Sequence, residues 1–260
     1  MGQNILIEHE AACTVLTLNR PEKLNPLDWS TVKELKDAVD RLDAGPPVLV
    51  TGAGRAFCAG GDLTGYVSLY TRPDDFRSFL LDFRDMLMAI ERSERIFIAV
   101  INGACAAGGL ELLLACDIVL AAQEAQIGDA HLNFGQLPGA GGSQRLPRAV
   151  GSLRAKHLIL SGRFLNGREA VDIGLANEAV PGRELMPRAR AFARELAERS
   201  PSGLRGAKHL VNQGMEMTLA EALDFEIDYV HRYATTDPDA TEGLRAFAEK
   251  RQPAYRSFKG

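Results

Sequence analysis

One long apolar stretch, from Ile96 to Ala122, constrains the fold more than any other part of the sequence. It is interrupted by the polar side chains of Asn102, Glu111 and Asp117 and by a Gly-Gly pair in its middle. No uninterrupted apolar run of about 18 residues remains, so the stretch lacks the pattern of a membrane span. It predicts instead a buried strand, a tight turn, a buried helix and a second buried strand.

The same alternation of strands and helices extends over the first half of the chain. Apolar residues recur with helical spacing in Ser30–Leu42, where we expect Ser30 to be the N-cap, and in Asp74–Arg92. This alternation favours an α/β fold with parallel strand pairing. Short apolar runs predict strands at Asn4–Glu10, Ala12–Asn19, Pro47–Thr51, Ile96–Ile101 and Asp117–Ala121.

From about Ser143 onward the pattern is mostly helical, with one extended segment at Ala176–Val180. No low-complexity linker and no strict internal repeat divides the chain. We therefore expect a core over residues 1–195 and a helical C-terminal segment over residues 196–260.

Charge and cysteine content restrict the class of protein. Lys and Arg total 30 and Asp and Glu total 34, a net charge of −4 that argues against broad nucleic-acid binding. The N-terminus has no secretory signal pattern, and no metal-ligand spacing is present. The chain has four cysteines, Cys13, Cys58, Cys105 and Cys116. They form no C-x-x-C pair, which indicates reduced thiols in a cytoplasmic protein.

Two glycine-rich segments each follow a predicted strand. The first, Gly52–Gly65, has small residues at 59–61 that expose backbone N–H groups to a ligand, although a flexible connection explains it equally well. The second, Asn102–Glu111, leads into a helix whose first N–H groups are free. Two such N–H groups, one from each segment, would form an oxyanion hole. We expect Thr64–Pro73 to be a loop that shapes the pocket.

Two side chains near these segments are candidates for chemistry. Glu111 lies in the first turn of the helix into which the second glycine-rich segment leads. There it either complements the helix dipole or performs a function. Its apolar surroundings favour function, because a buried carboxylate is costly. His131, just before the turn Pro138–Ser143, is predicted from spacing alone to be a structural loop histidine.

Together these segments resemble the crotonase superfamily, the enoyl-CoA hydratase/isomerase family. The resemblance runs from Leu18–Asn25 through both glycine segments and the turn Pro138–Leu146 to Phe247–Pro253. It implies a spiral of ββα units followed by helices that build a homotrimer, often paired into a hexamer. It also implies an acyl-CoA thioester as substrate, with coenzyme A as part of that substrate and no tightly bound cofactor.

The resemblance also assigns residues to the site. It implies that the N–H groups of Gly61 and Gly108 form the oxyanion hole, and that Lys250 or Lys259 reaches a ligand of a neighbouring subunit. The residues that it implies for coenzyme A binding are Arg20, Lys23, Arg55, Ala59, Asp62 and Leu63.

The catalytic pair departs from the family pattern. Hydratases of the family use two glutamates; Glu111 matches the first, and His131 occupies the position of the second. The resemblance therefore changes the interpretation of His131 from structural to catalytic, since histidine is an acid or base near neutral pH. Asp129 either orients the imidazole or caps a turn.

The leading hypothesis is an enzyme, a lyase that hydrates a 2-enoyl-CoA. The alternatives are isomerisation or decarboxylation of an acyl-CoA, and C–C hydrolysis of a β-diketone, against which the lack of an acid at Ala140 argues. A third possibility is a non-enzymatic relative that binds CoA thioesters or RNA; the acidic balance argues against RNA.

Overall fold

The structure, a computed structural model, describes residues 3–255. Strands and helices alternate in its first half, and helices dominate its second half. The strands are β1 (Ile5–His9), β2 (Thr14–Leu18), β3 (Val48–Gly52), β4 (Ala56–Cys58), β5 (Phe97–Ile101), β6 (Ala104–Ala106), β7 (Ile118–Ala122), β8 (Gln126–Gly128) and β9 (Glu178–Val180). The α-helices are α1 (Trp29–Asp40), α2 (Leu63–Tyr70), α3 (Pro73–Arg92), α4 (Gly108–Leu114), α5 (Gly142–Val150), α6 (Ser152–Ser161), α7 (Gly167–Asp172), α8 (Gly182–Ala197), α9 (Pro201–Gly214), α10 (Leu219–Thr236) and α11 (Pro238–Ala248).

The strands form two sheets. The larger has six strands in the order β1-β2-β3-β5-β7-β9, and β1 and β2 are its antiparallel pair. Every other neighbouring pair in this sheet is parallel, as predicted. Strands β3 and β5 are buried along their whole length, which explains why their sequences are continuous apolar runs.

A smaller sheet of three parallel strands, β4-β6-β8, lies beside the first. The chain visits the large sheet, then the small sheet, then a helix, in the series β3-β4-α2 and again in β5-β6-α4. The expected spiral of ββα units is confirmed. Because β4, β6 and β8 run in parallel, their carboxyl ends share one edge, and Gly61, Gly108 and His131 all follow those ends.

Three local expectations are wrong. Asp28 rather than Ser30 caps α1, since its carboxylate accepts from the N–H of Thr31 at 2.9 Å. The segment Thr64–Pro73 is largely the helix α2, and Asp62 caps it. Strands β4 and β6 lie inside the segments expected to be loops. Each has only three residues, too few for a periodic pattern, so pairing with other strands defines them.

The four cysteines are free thiols, as the spacing predicts. Cys13, Cys58 and Cys105 are buried and Cys116 is half-buried. Burial raises the pKa of the Cys58 thiol to about 12, so this side chain is protonated at neutral pH and behaves as a small apolar residue.

The helical C-terminal segment is joined to the core through α9. The ammonium group of Lys208 donates to the backbone carbonyls of Ile90 and Arg95 and pairs with Asp117 at 2.9 Å. Within residues 3–255, no helix is both long and apolar enough to cross a bilayer. The division at residue 196 stays a prediction.

Candidate active site

The loops that follow β4 and β6 touch each other through glycine. A Cβ on Gly60 would lie 2.9 Å from that of Ala107 and 3.5 Å from the backbone nitrogen of Gly108. A Cβ on Gly109 would collide with the carbonyl oxygen of Cys58. Glycine is therefore required at these positions, because the start of α4 approaches the end of β4 so closely.

This approach places the two predicted oxyanion-hole residues side by side. Gly61 follows Gly60 directly, and Gly108 is the first residue of α4, so the helix leaves its N–H without an acceptor. Ala107 before it has φ 49, which is unfavourable for a residue with a Cβ. Such strain marks the turn as one that the surrounding structure holds in place.

Glu111 lies in the first turn of α4 and is only 1% exposed. Its Oε1 accepts from the N–H groups of Ala140 and Gly142, each at 2.8 Å. Burial raises the pKa of this carboxyl, although the two N–H groups and His131 act in the opposite direction. The glycine-rich turn before α5 therefore holds one oxygen of Glu111 and leaves the other, Oε2, available.

His131 follows β8 and begins a short 3-10 turn. Its Nδ1 lies 3.1 Å from Oδ1 of Asp129, and its Nε2 lies 4.0 Å from Oε2 of Glu111. The structure thus brings together Glu111 and His131, which are distant in sequence and which the resemblance pairs. The imidazole stands between two carboxylates from different elements.

A cavity of about 1500 Å³ opens beside this pair. That volume exceeds the usual range for drug-sized ligands, so the cavity can take a larger molecule. The sequence-predicted site residues that line it are Lys23, Ala59, Gly61, Asp62, Leu63, Gly108, Glu111 and His131.

Two residues expected to bind coenzyme A are not among the described residues that line this cavity. The guanidinium of Arg20 pairs with Asp28 at the start of α1, so it is already engaged. Arg55 is exposed on the turn before β4. Lys250 is exposed after α11, and Lys259 lies outside the described residues.

Sequence reasoning missed the aromatic wall of the cavity. Tyr66 and Tyr70 of α2 and Phe76 and Phe83 of α3 line it, and the hydroxyl of Tyr66 lies directly against the backbone of Gly61. Burial raises the pKa of the Tyr66 phenol, so it remains a neutral hydroxyl. The N-cap pattern that begins at Asp62 was the signal for α2, and hence for Tyr66.

The donors to Glu111 were missed as well. The N–H groups of Ala140 and Gly142, in the turn before α5, both donate to the Glu111 carboxylate, a contact that no local sequence pattern indicates. Among residues 3–255, no group of three or more His, Cys, Asp or Glu side chains is arranged to hold a metal ion.

Comparison with known proteins agrees with this geometry. A family model described as Enoyl-CoA hydratase/isomerase matches residues 8–258. The chain belongs to the enoyl-CoA hydratase/isomerase family. The resemblance to the crotonase superfamily is thereby confirmed.

Relatives match this family member over nearly their full length. A probable enoyl-CoA hydratase of Mycobacterium bovis is 37% identical over 256 residues, which are 97% of this chain and 98% of the relative. A crotonyl-CoA hydratase of Syntrophomonas wolfei is 35% identical over 259 residues, 98% of each protein. The crystal structure of an enoyl-CoA hydratase from Bacillus anthracis has a TM-score of 0.91 at 35% identity and covers 97% of this chain and 99% of that one.

Proposed function

We propose that this protein adds water to the double bond of a 2-enoyl-CoA thioester. The observation that carries the proposal is the pair Glu111 and His131, whose side chains face each other at 4.0 Å on the wall of a cavity large enough for an acyl-CoA. Relatives named as enoyl-CoA and crotonyl-CoA hydratases support the same reaction.

The backbone N–H groups of Gly61 and Gly108 hold the thioester oxygen. When hydroxide adds to the β-carbon, negative charge moves to this oxygen as an enolate forms. Fixed N–H donors at that point stabilise the charge without having to reorganise, and the loss of one such donor typically lowers kcat by about 100-fold or more. The contact between the two glycine loops supports this role.

Glu111 acts as the base for water through Oε2. Its other oxygen is fixed by two N–H groups, so the carboxylate is oriented towards the cavity. The imidazole of His131 delivers a proton to the α-carbon and collapses the enolate. A histidine suits this step because it gains and loses a proton near neutral pH.

Among the described residues of the cavity wall, Lys23 is the one with a Lys or Arg side chain. Its ammonium group can pair with a phosphate of coenzyme A. Ala59, Asp62 and Leu63 line the path of the pantetheine and adenine groups. Coenzyme A enters and leaves as part of the substrate, and we propose no tightly bound cofactor.

We also propose that the chain assembles as a homotrimer or as a hexamer. Large apolar side chains are exposed along α10 and α11, among them Ile227 at 65% and Phe247 at 86%. Exposed apolar patches on this scale mark contact surfaces between proteins. Light scattering in solution measures the number of copies. A cytoplasmic location is proposed from the four free thiols.

The activity is tested with a panel of 2-enoyl-CoA thioesters of different chain lengths. Hydration removes the conjugated absorbance of the thioester, and mass spectrometry detects the gain of one water. We expect Glu111→Ala to lower kcat by about 100-fold or more. If the wild type and Glu111→Ala are equally slow on the whole panel, the proposal is wrong.

The same absorbance and mass measurements, with identification of the product, separate the other reactions of the family. Loss of carbon dioxide identifies decarboxylation, and an unchanged mass with a moved double bond identifies isomerisation. Binding of acyl-CoA in a calorimeter without turnover identifies a binding protein.

A further inference from the structure

Asp129 carries a buried carboxylate to which the reaction described above assigns no role. Its side chain has no exposed surface, and its Oδ1 lies 3.1 Å from Nδ1 of His131. The second oxygen, Oδ2, has no hydrogen-bond partner within residues 3–255. Buried carboxylates with incomplete hydrogen bonding are unfavourable, and their presence calls for a functional reason.

The backbone is bent to bring Asp129 and His131 together. Ala130 between them has φ 55, a conformation that residues with a Cβ rarely adopt. The turn is anchored just upstream, where Ile127 exchanges backbone hydrogen bonds of 2.8 Å with Leu165. Strain that neighbouring contacts maintain is typical of functional sites.

The position of Oδ1 decides which ring nitrogen of His131 carries a hydrogen. An ionised carboxylate only accepts hydrogen bonds, so Nδ1 must be the donor. This leaves Nε2 on the side of Glu111, 4.0 Å from Oε2. Asp129 from the end of β8 and Glu111 from α4 are the carboxylates that face the ring, and Tyr66 of α2 interacts with Glu111. The ring therefore has a carboxylate oxygen near each of its nitrogens.

We propose that Asp129 is a positioning residue, which fixes the proton of His131 on Nδ1 and stabilises the doubly protonated ring that donates from Nε2. The donation step rests on the proposed hydration. The assignment of the proton to Nδ1 rests only on the geometry of the two side chains.

The proposed step balances in atoms and electrons. The oxygen of water bonds to the β-carbon and its proton goes to Oε2 of Glu111, while the π electrons of the double bond move into the enolate. The enolate electron pair then takes the proton from Nε2 of His131 and forms the new C–H bond at the α-carbon. Transfer of a proton from Oε2 of Glu111 back to Nε2 restores the starting state.

The kinetic test compares Asp129→Asn with the wild type. We expect kcat to fall by about 100-fold, the size of a general acid contribution, with KM changed by less than about threefold. We also expect the alkaline limit of the kcat profile to move to lower pH, because a neutral amide no longer stabilises the charged ring. Asp43→Asn removes an exposed carboxylate outside the cavity and serves as the control, with unchanged kinetics.

The second test uses ¹⁵N-histidine NMR, which needs no turnover. The signals of the His131 ring are assigned by their absence in His131→Gln. We expect the neutral wild-type ring to carry its hydrogen on Nδ1, and the population to move towards the other tautomer in Asp129→Asn. A thermal unfolding curve shows that the variant is folded.

The two measurements separate the possible failures. If kcat falls but neither the tautomer nor the alkaline limit changes, Asp129 is only structural and the proposal is overturned. It is equally overturned if the wild-type ring carries its hydrogen on Nε2. If no enoyl-CoA is hydrated by the wild type, the proposed function fails, while the NMR result still decides whether Asp129 fixes the tautomer.

Discussion

At the scale of single residues, Glu111 shows the conflict between stability and function. Its carboxylate is buried, and it is held by two backbone N–H groups and faces a histidine. Burial raises the pKa of this carboxyl, so the ionised form, which is the proposed base, is unfavourable in the folded protein. A site of this kind is expected to lower the stability of the fold that contains it.

The variant Glu111→Gln tests this conflict. The amide oxygen accepts from the same two N–H groups without a charge, so we expect the variant to be inactive yet more stable at neutral pH, by about 1 kcal/mol. A carboxyl with a raised pKa in the folded state loses its stabilising contribution as pH rises through that pKa. The advantage of the variant should therefore shrink as pH falls and the glutamic acid becomes protonated.

Unfolding in urea at neutral and at acidic pH measures this difference. A Glu111→Gln protein that is less stable than the wild type at neutral pH would contradict the argument. Circular dichroism of the folded proteins checks that the two structures are alike.

At the scale of elements, the decisive contact is between the start of α4 and the end of β4. Gly109 packs against the carbonyl of Cys58, and Gly60 packs against Ala107. The contact fixes the distance between the two loops that supply the proposed oxyanion donors. Glycine is required at these positions because the backbones approach each other.

The variant Gly109→Ala should force α4 away from β4. We expect a loss of about 1–3 kcal/mol in the free energy of unfolding, as for other overpacked sites. We also expect kcat to fall by about tenfold or more, because misplacement of the reacting groups by about 1 Å costs about 100-fold. Urea unfolding and steady-state kinetics measure the two effects.

Gly214→Ala is the matched control for this variant. A Cβ on Gly214 would meet its nearest neighbour, Ala222, at 3.7 Å, an ordinary contact distance. The control should keep both stability and kcat. If Gly109→Ala behaves in the same way as the control, the close contact does not set the geometry of the site.

At the scale of the whole molecule, one largely buried ion pair joins the C-terminal helices to the core. Lys208 of α9 pairs with Asp117, which precedes β7 and accepts from the N–H of Phe97 at 2.7 Å. Burial raises the pKa of the Asp117 carboxyl, and Lys208 opposes this rise. Neither charge has another partner of opposite sign among the ion pairs of residues 3–255.

The variant Lys208→Met should destabilise the protein by about 3 kcal/mol at neutral pH, because it leaves a largely buried carboxylate without its cation. In the variant the stabilising contribution of protonated Asp117 is present at low pH and is lost as pH rises through its raised pKa. The deficit should therefore be smaller in acid, and Lys208→Met/Asp117→Asn should recover part of it. A deficit that is equal at both pH values, measured by urea unfolding, would refute the role of the pair.

The sequence alone determined the features that depend on local pattern. The apolar alternation predicted the α/β fold, and small residues after strands predicted two loops with exposed N–H groups. The order of the motifs identified the family, which the comparisons confirm, and it drew attention to Glu111 and His131. These signals are readable because strand and helix periods, and the need for glycine, are properties of neighbouring residues.

Only the tertiary structure decided which groups meet. In the folded chain the N–H of Ala140 donates to the carboxylate of Glu111, 29 positions away. The guanidinium of Arg20 pairs with Asp28 instead of facing the cavity. It also placed the Tyr66 hydroxyl against Gly61. Such contacts join residues from different elements, and their distances depend on how strands pair and helices pack, which no local pattern in the chain encodes.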